Sequence, residues 1–554
     1  MKKIYSSLMA TCLLATSFLT VGCIDETEPN SMATSEQLAA NATATEALLW
    51  AMPAYMSTFD VLGYDDDAFH YDYGMGSMMQ IRDVMGEEYV ATAHTYEWYD
   101  SWVNNYYLGR DYVSQALVWQ TFYKSILTTN QLIKAVNPET ASSVQLSYLA
   151  AGKAFRAALY LDLARMYEFL PNDGTDRINA DGQDVFGLTV PFVFENTTEA
   201  EARNNPRAFH TDAFNYIKKD LEEALELYDE NGGLKDKQLP GFAATQGLLA
   251  RAYMWHGSFL KEFGAEYDEN LSANDCFEKA AYYAGQAEAG GTPMTEAQWT
   301  DPKTGFNTIN KAWLWGFTTS KENDAVQTGI INWVSWTSNE TAYGYASHGP
   351  YRKVAPNFYD RIPTSDFRKL SWKAPENSTL YSKLQYCDEE VFKGLPTYAS
   401  LKIRPGQGNV SDYNVGSAVS VPLMRVEEMW FIEAEAMAQS GDIDGAIGVL
   451  TTFMKTYRNP KYSFPGGDII DEIFFQKRVE LWGEGLNYFD YKRLNKPVTR
   501  GYEGTPFGPD AQMNTTTRPA WMNFVIHINE INNNDAIRAF NNPNPSDCYE
   551  KTDF

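Results

Sequence analysis

The chain has 554 residues, 44% hydrophobic and 21% charged, the composition of a packed globule rather than of a disordered tail. Its 72 acidic residues against 45 basic ones give a formal net charge of -27, which repels a polyphosphate over most of the surface and argues against a nucleic-acid partner. That length admits several average domains, or one large one if helices stack as repeats.

At the start, Lys2 and Lys3 precede an apolar run from Leu8 to Val21, too short to span a bilayer in a mature protein. Residues 1–22 therefore read as a signal peptide. The run closes on Leu19-Thr20-Val21-Gly22-Cys23, the form of a lipoprotein processing box, with Thr20 where an aliphatic residue is usual. Cys23 is thus predicted to become the lipidated first residue, and more than one acyl chain there would give stable anchoring. Residues 23–36 are polar and acidic, as a flexible tether is. With Cys12 removed and Cys23 acylated, Cys276, Cys387 and Cys548 remain, an odd set that builds no disulfide framework.

From residue 37 helices dominate. Phe155, Leu159, Leu163, Met166 and Leu170 draw one apolar stripe down a helix that Pro171 is predicted to end. Stripes recur at Phe214, Ile217, Leu221, Leu225 and Tyr228, then at Ala244, Leu248, Ala252, Trp255 and Phe259, with a short one at Phe277, Ala281 and Ala284. Near residue 440, Trp430, Ala434, Met437 and Ala438 form a stripe, Gly441 is a stop, Asp442 or Asp444 a cap, and Ala446, Leu450, Phe453 and Tyr457 the next stripe. Helix, tight Gly-Asp turn and helix resemble a tetratricopeptide unit, although neighbouring units are irregularly spaced. The pattern predicts a mostly α fold, an α-α superhelix of helix pairs. Its scaffold spans 37–290 and 421–495 of a single domain, 37–554. Over 291–420 the stripes fade and Gly, Pro, Ser and Thr punctuate short aromatic runs. There Trp313, Trp315 and Phe317 alternate as a strand places them on one face, and loops on a rigid scaffold are where binding usually sits.

No HExxH, G-x-S-x-G, GxxxxGK[ST] or CxxC occurs, and the six histidines do not pair at ligand spacing, so neither catalysis nor a transition metal is predicted. Residues 177–182 echo a calcium loop, but Arg177 and Leu188 occupy ligand positions, which rules out an EF-hand. Asp65, Asp66 and Asp67 form either a solvated acidic loop or a hard-cation site. No cofactor is expected, and a structural calcium stays unassigned.

The aromatic supply stands out: 14 Trp, 35 Tyr and 30 Phe. Trp299, Trp313, Trp315, Trp333 and Trp336 fall in one window, followed by Tyr343, Tyr345 and Tyr351. A second cluster holds His70, Tyr71, Tyr73, Trp98, Tyr99 and Trp102, flanked by Arg82, Asp83, Asn104 and Asn105. Flat rings stack on the C–H faces of sugars, and amides and guanidiniums bond hydroxyl edges. The candidate glycan-binding set is therefore Tyr73, Arg82, Trp98, Trp102, Asn104, Trp299, Trp333, Trp336 and Tyr343, while each tryptophan taken alone is more often core.

Three segments, RAALYLDLARMY at 156–167, VPLMRVEEMWFIEAEA at 421–436 and RVELWGEGLNYFD at 478–490, resemble in order and separation the SusD/RagB family of outer-membrane glycan-binding lipoproteins. That resemblance covers most of the mature chain. It implies a scaffold of four tetratricopeptide-like units and an aromatic arc on variable loops with no fixed motif. It also implies no enzymatic activity, a lipid anchor at the outer membrane of the cell surface, and delivery of oligosaccharide or polysaccharide to a SusC-like TonB-dependent transporter. In this reading Arg156, Glu433, Glu480 and Asp490 are structural, pairing with one another or with helix ends. The rival functions are a surface glycoside hydrolase, since two carboxylates leave no motif, and a helical-repeat scaffold for peptides or proteins.

Overall fold

The computed structural model describes residues 42–64, 68–383 and 387–552. The signal peptide, Cys23, the tether and the Asp65–Asp67 cluster lie outside the described residues. The principal helices are α1 (Ala42–Tyr55), α2 (Met75–Asp83), α3 (Val113–Ala135), α4 (Ser143–Tyr167), α5 (His210–Asn231), α6 (Phe242–Phe263), α7 (Ala273–Glu288), α8 (Val426–Ser440), α9 (Ile443–Tyr457), α10 (Ile469–Glu480) and α11 (Asn487–Arg493). Four short strands make two antiparallel ribbons: β1 (Tyr89–Ala91) with β3 (Arg352–Val354), and β2 (Trp313–Thr318) with β4 (Ser420–Arg425).

Each scaffold helix packs on the next, α3 on α4, then α5, α6, α7, α8 and α9 in turn, which is the expected helical superhelix. The apolar stripes make these seams: Phe155, Leu159, Leu163 and Met166 of α4, and Leu248, Ala252, Trp255 and Phe259 of α6, are buried. Caps fix the helix ends. Ser142 and Gln145 form a reciprocal capping box on α4, Gly441 turns left-handed at φ 101°, and Asp442 accepts from the Gly445 N–H at 2.9 Å.

Two local expectations are corrected. Helix α4 stops at Tyr167 rather than running to Pro171, because Phe169 leaves the helix to bridge Phe186, and Leu170 is buried beyond its end. Strand β2 forms where Trp313, Trp315 and Phe317 alternate, but its register against β4 shifts between Trp313 and Trp315 and again before Gly316. Such irregularities break the two-residue period, and the strand is buried along all but its last residue.

Beneath the loop-rich region lies a buried cluster of charges. Glu480 meets Arg458 (2.7 Å), Arg425 (3.1 Å) and Arg368 (3.1 Å). Arg425 also reaches Glu427 and Glu484, Lys402 reaches Glu484, and Arg368 reaches Asp366. Arg368, Arg425, Arg458 and Lys402 thus balance Asp366, Glu427, Glu480 and Glu484, as buried charge requires. Burial works against the ionised Glu480, but the three arginines hold its carboxyl far below the usual range. Arg156 with Asp220, and Asp490 with Lys477 and Arg493, are paired as expected. Glu433 is not: it is hydrogen-bonded to Glu288 of α7, another carboxyl, and burial together with Glu433 pushes Glu288 up to about 9.

Candidate functional site

The β1–β3 ribbon brings the segment after β1 beside the segment before β3. Thr92 N–H donates to the Tyr351 carbonyl at 3.1 Å, and Glu97 is buried against Arg352, whose Nη2 donates to Oε1 at 3.0 Å. Burial opposes the Arg352 charge, yet Glu97 holds its pKa above the usual value. On either side of the inward Glu97, Tyr96 is 53% exposed and Trp98 is half-buried.

A third segment completes the surface. The His70 ring stacks on Trp98 with centroids 4.2 Å apart and planes 15° apart. His70 is held from behind: its carbonyl accepts from Trp336 Nε1 at 2.8 Å, and its Nδ1 hydrogen-bonds to the Tyr345 hydroxyl. Tyr345 in turn stacks on Trp336, centroids 3.4 Å apart. Burial lowers the His70 pKa and raises that of Tyr345, which favours the neutral form of both rings. His94 stacks near Tyr96 at 5.8 Å, and Tyr96 meets His348 edge-on at 6.0 Å. Tyr64, 50% exposed, meets Phe69 edge-on at 5.3 Å. The result is a platform of rings from three loops, His70 and Trp98 at its centre.

The predicted residues divide across this arrangement. Trp98 is on the platform, and Trp336 lies directly beneath it, only 1% exposed. Tyr73 and Trp102 are also buried beneath: Tyr73 accepts from the Tyr99 hydroxyl at 2.7 Å, and Trp102 packs edge-on against Tyr71 at 5.2 Å. Asn104, half-buried, ends the helical turn after Trp98. The remainder are elsewhere. Arg82 is buried and pairs with Asp162 at 2.7 Å. Trp299 is buried as the floor of the charge cluster, its centroid 5.2 Å from both Lys402 and Arg458. Trp333 is buried against Gly76, and Tyr343 lies half-buried, edge-on to Tyr413. Buried rings present no face to a ligand in this structure, so for these tryptophans the expectation of an open aromatic surface is corrected: large apolar side chains gain most from the core.

His94, Tyr96 and His348 were not among the predicted residues. One signal could have found them: half the histidines, His70, His94 and His348, lie in these loops. Chemically the platform offers ring faces, imidazole N–H groups and phenols. The carboxylates of Glu97 and Asp72 are buried, Glu97 on Arg352 and Asp72 accepting from the Leu62 N–H at 3.0 Å. Burial pushes Asp72 up to about 6. Among the described residues no group of three or more His, Cys, Asp or Glu side chains could hold a metal, and Arg177 of the calcium-like segment pairs with Asp184. Cys276, Cys387 and Cys548 are free thiols.

Helical pairs carrying a ring-faced loop surface define a class of helical-repeat binding proteins. Residues 67–254 match the SusD-like family model described as starch-binding, associating with the outer membrane, and residues 283–550 match the SusD family model. The chain belongs to the SusD/RagB family. Solved structures agree in fold. A SusD-like carbohydrate binding protein from Bacteroides vulgatus superposes with a TM-score of 0.67 at 22% identity, over 89% of this chain and 96% of its own. A SusD superfamily protein from Bacteroides thetaiotaomicron gives 0.64 at 17% identity, over 90% and 99%. A further B. vulgatus member gives 0.61 at 14%, over 92% and 99%. A search of curated proteins gives no match. No described helix is long and apolar enough to cross a membrane.

Proposed function

We propose that this protein is a non-catalytic, cell-surface lipoprotein, tethered to the outer membrane through Cys23, that captures oligosaccharide or polysaccharide for a SusC-like TonB-dependent transporter. The observation that carries the reading is the stacked His70–Trp98 pair, braced from beneath by Trp336 and Tyr345 and flanked by the exposed Tyr96. A saccharide ring can lie on such a surface while the imidazole N–H and nearby phenols bond its hydroxyls. Glycoside hydrolysis needs two carboxylates flanking the bond, and among the described residues beside the stacked rings Glu97 is committed to Arg352 and Asp72 to the Leu62 N–H. Family membership supports the glycan class and the membrane association, and the B. vulgatus relative that superposes at 0.67 is a SusD-like carbohydrate binding protein.

The test is affinity electrophoresis and calorimetry of the mature protein against amylopectin, xylan, galactan, levan, yeast mannan, mucin glycans and chondroitin. Retention by at least one polymer, without release of reducing ends and weakened about tenfold or more in Trp98→Ala, is expected. No retention by any of them, or turnover lost with a single carboxylate, would sink the reading. Radiolabelled palmitate should enter the wild-type chain in cells and not Cys23→Ala.

A further inference from the structure

Seven residues beyond Trp98 the chain turns into the left-handed region at Asn105 (φ 54°), and again at Tyr107 (φ 59°). A tyrosine pays for that conformation in steric strain, and here it holds the Tyr107 ring 53% exposed. Tyr106, whose hydroxyl donates to Asp100 at 2.5 Å, meets Tyr107 edge-on at 4.6 Å, and Tyr107 meets Tyr112 at 4.9 Å. Through Asp100, on the helical turn that follows Trp98 in the chain, Tyr106 ties these rings to the segment that carries the platform. Tyr112, 41% exposed, then forms one wall of a cleft of about 380 Å³ at the N-terminal end of α3, a size at the lower end of small-ligand sites.

The cleft is built, not incidental. Asn179 donates to the Ala539 and Asn541 carbonyls, Asn541 to that of Ile526, and Asn542 to those of Tyr167 and Phe524, at 2.7–3.0 Å. These amides fix the wall. Around it Arg110, Asp111 and Asp181 have no side-chain hydrogen bond or salt bridge among the described residues, and the Asn544 amide stands against Gly109 with only its oxygen engaged, by the Ser546 N–H. A guanidinium and an amide that donate, two carboxylates that accept and an exposed phenol ring together match the hydroxyl edges and C–H faces of a pyranose. Two carboxylates against one guanidinium leave the cleft acidic, which favours neutral units over uronic or sulfated ones.

We infer that this cleft is a second saccharide site, taking neutral units of the same glycan chain that lies on the Trp98 platform; the inference rests on the glycan-binding reading above. Two linked contacts on one polymer raise its affinity without changing that of a ligand too short to reach both. The test uses the full mature protein, the polysaccharide retained in the panel above and its tetrasaccharide. The double variant Arg110→Ala/Tyr112→Ala, changed only at exposed side chains and checked for an unchanged melting temperature, should lose about fivefold or more in polysaccharide affinity and keep its tetrasaccharide affinity within about twofold, whereas Trp98→Ala should weaken both. If the double variant keeps polysaccharide affinity while Trp98→Ala loses it, the second site is wrong and the platform stands. An equal loss for both ligands in the double variant would also overturn the division into two sites, and a wild-type protein that retains no polysaccharide overturns both readings together.

Discussion

Two regions of this molecule invert the usual distribution of side chains in opposite senses. Around Glu480, guanidiniums and carboxylates are buried in a balanced cluster with the Trp299 ring as its floor. Around Trp98, rings that could have been buried are held at the surface by a buried ion pair, Glu97 with Arg352. In the first region charge is enclosed to fix how β4, α8 and α10 meet. In the second, a buried charge pair anchors the backbone so that apolar surface stays outside. Exposed aromatic area carries a cost in water, and it persists in the second region because the braced loop leaves it nowhere to go.

Removing one partner from each region tests that contrast. Glu480→Ala leaves three arginines without their shared carboxylate and should cost about 3–5 kcal/mol, seen as a lower midpoint in urea unfolding or as loss of soluble protein. Trp336→Ala, beneath the platform, should cost about 3–5 kcal/mol as a buried large-to-small change. Trp98→Ala, above it, should cost less than about 1.5 kcal/mol of stability while losing glycan affinity. Equal stability losses for Trp98→Ala and Trp336→Ala would erase the distinction between platform and support.

A smaller effect concerns pH. Burial and Glu433 raise Glu288 from 4.5 to about 9 in the fold, so the folded protein keeps a proton that the unfolded chain releases. That stabilisation is complete below the unfolded value and fades as pH rises through about 9. Replacing the carboxyl by Glu288→Gln removes the dependence, and its advantage over wild type should grow from nothing near pH 5 to about 1 kcal/mol at pH 8, a figure reduced for the partial exposure of the pair. Unfolding curves across that range check it. Smallest of all, Tyr107→Gly relieves a left-handed tyrosine and should leave stability unchanged or raised by up to about 1 kcal/mol, measured by thermal unfolding, even as polysaccharide binding weakens.

The scaffold was legible because its signals are local and repeat. Four-residue apolar spacings and Gly441 with Asp442 each fix one helix or one end, and the structure uses them. The site was only half legible. Density of tryptophan along the chain measures demand for burial, so Trp299, Trp333 and Trp336 went inside, and counting rings could not separate them from Trp98. What exposes Trp98 is the pairing of Glu97 with Arg352 across 255 residues of sequence, a long-range contact with no local pattern. The placement of Glu433 against Glu288 was missed for the same reason.

The β2–β4 ribbon has a consequence for how such a protein changes. It joins Thr318 to Ser420 side by side, so everything from 319 to 419 leaves and re-enters the superhelix at one seam, and α7 packs on α8 as though nothing stood between them. With its ends already clamped, the exposed loops of that cassette can be lengthened or shortened for little entropy, because closure grows only logarithmically with length, while Arg352, Arg368 and Lys402 lock its buried part to the frame through Glu97, Glu480 and Glu484.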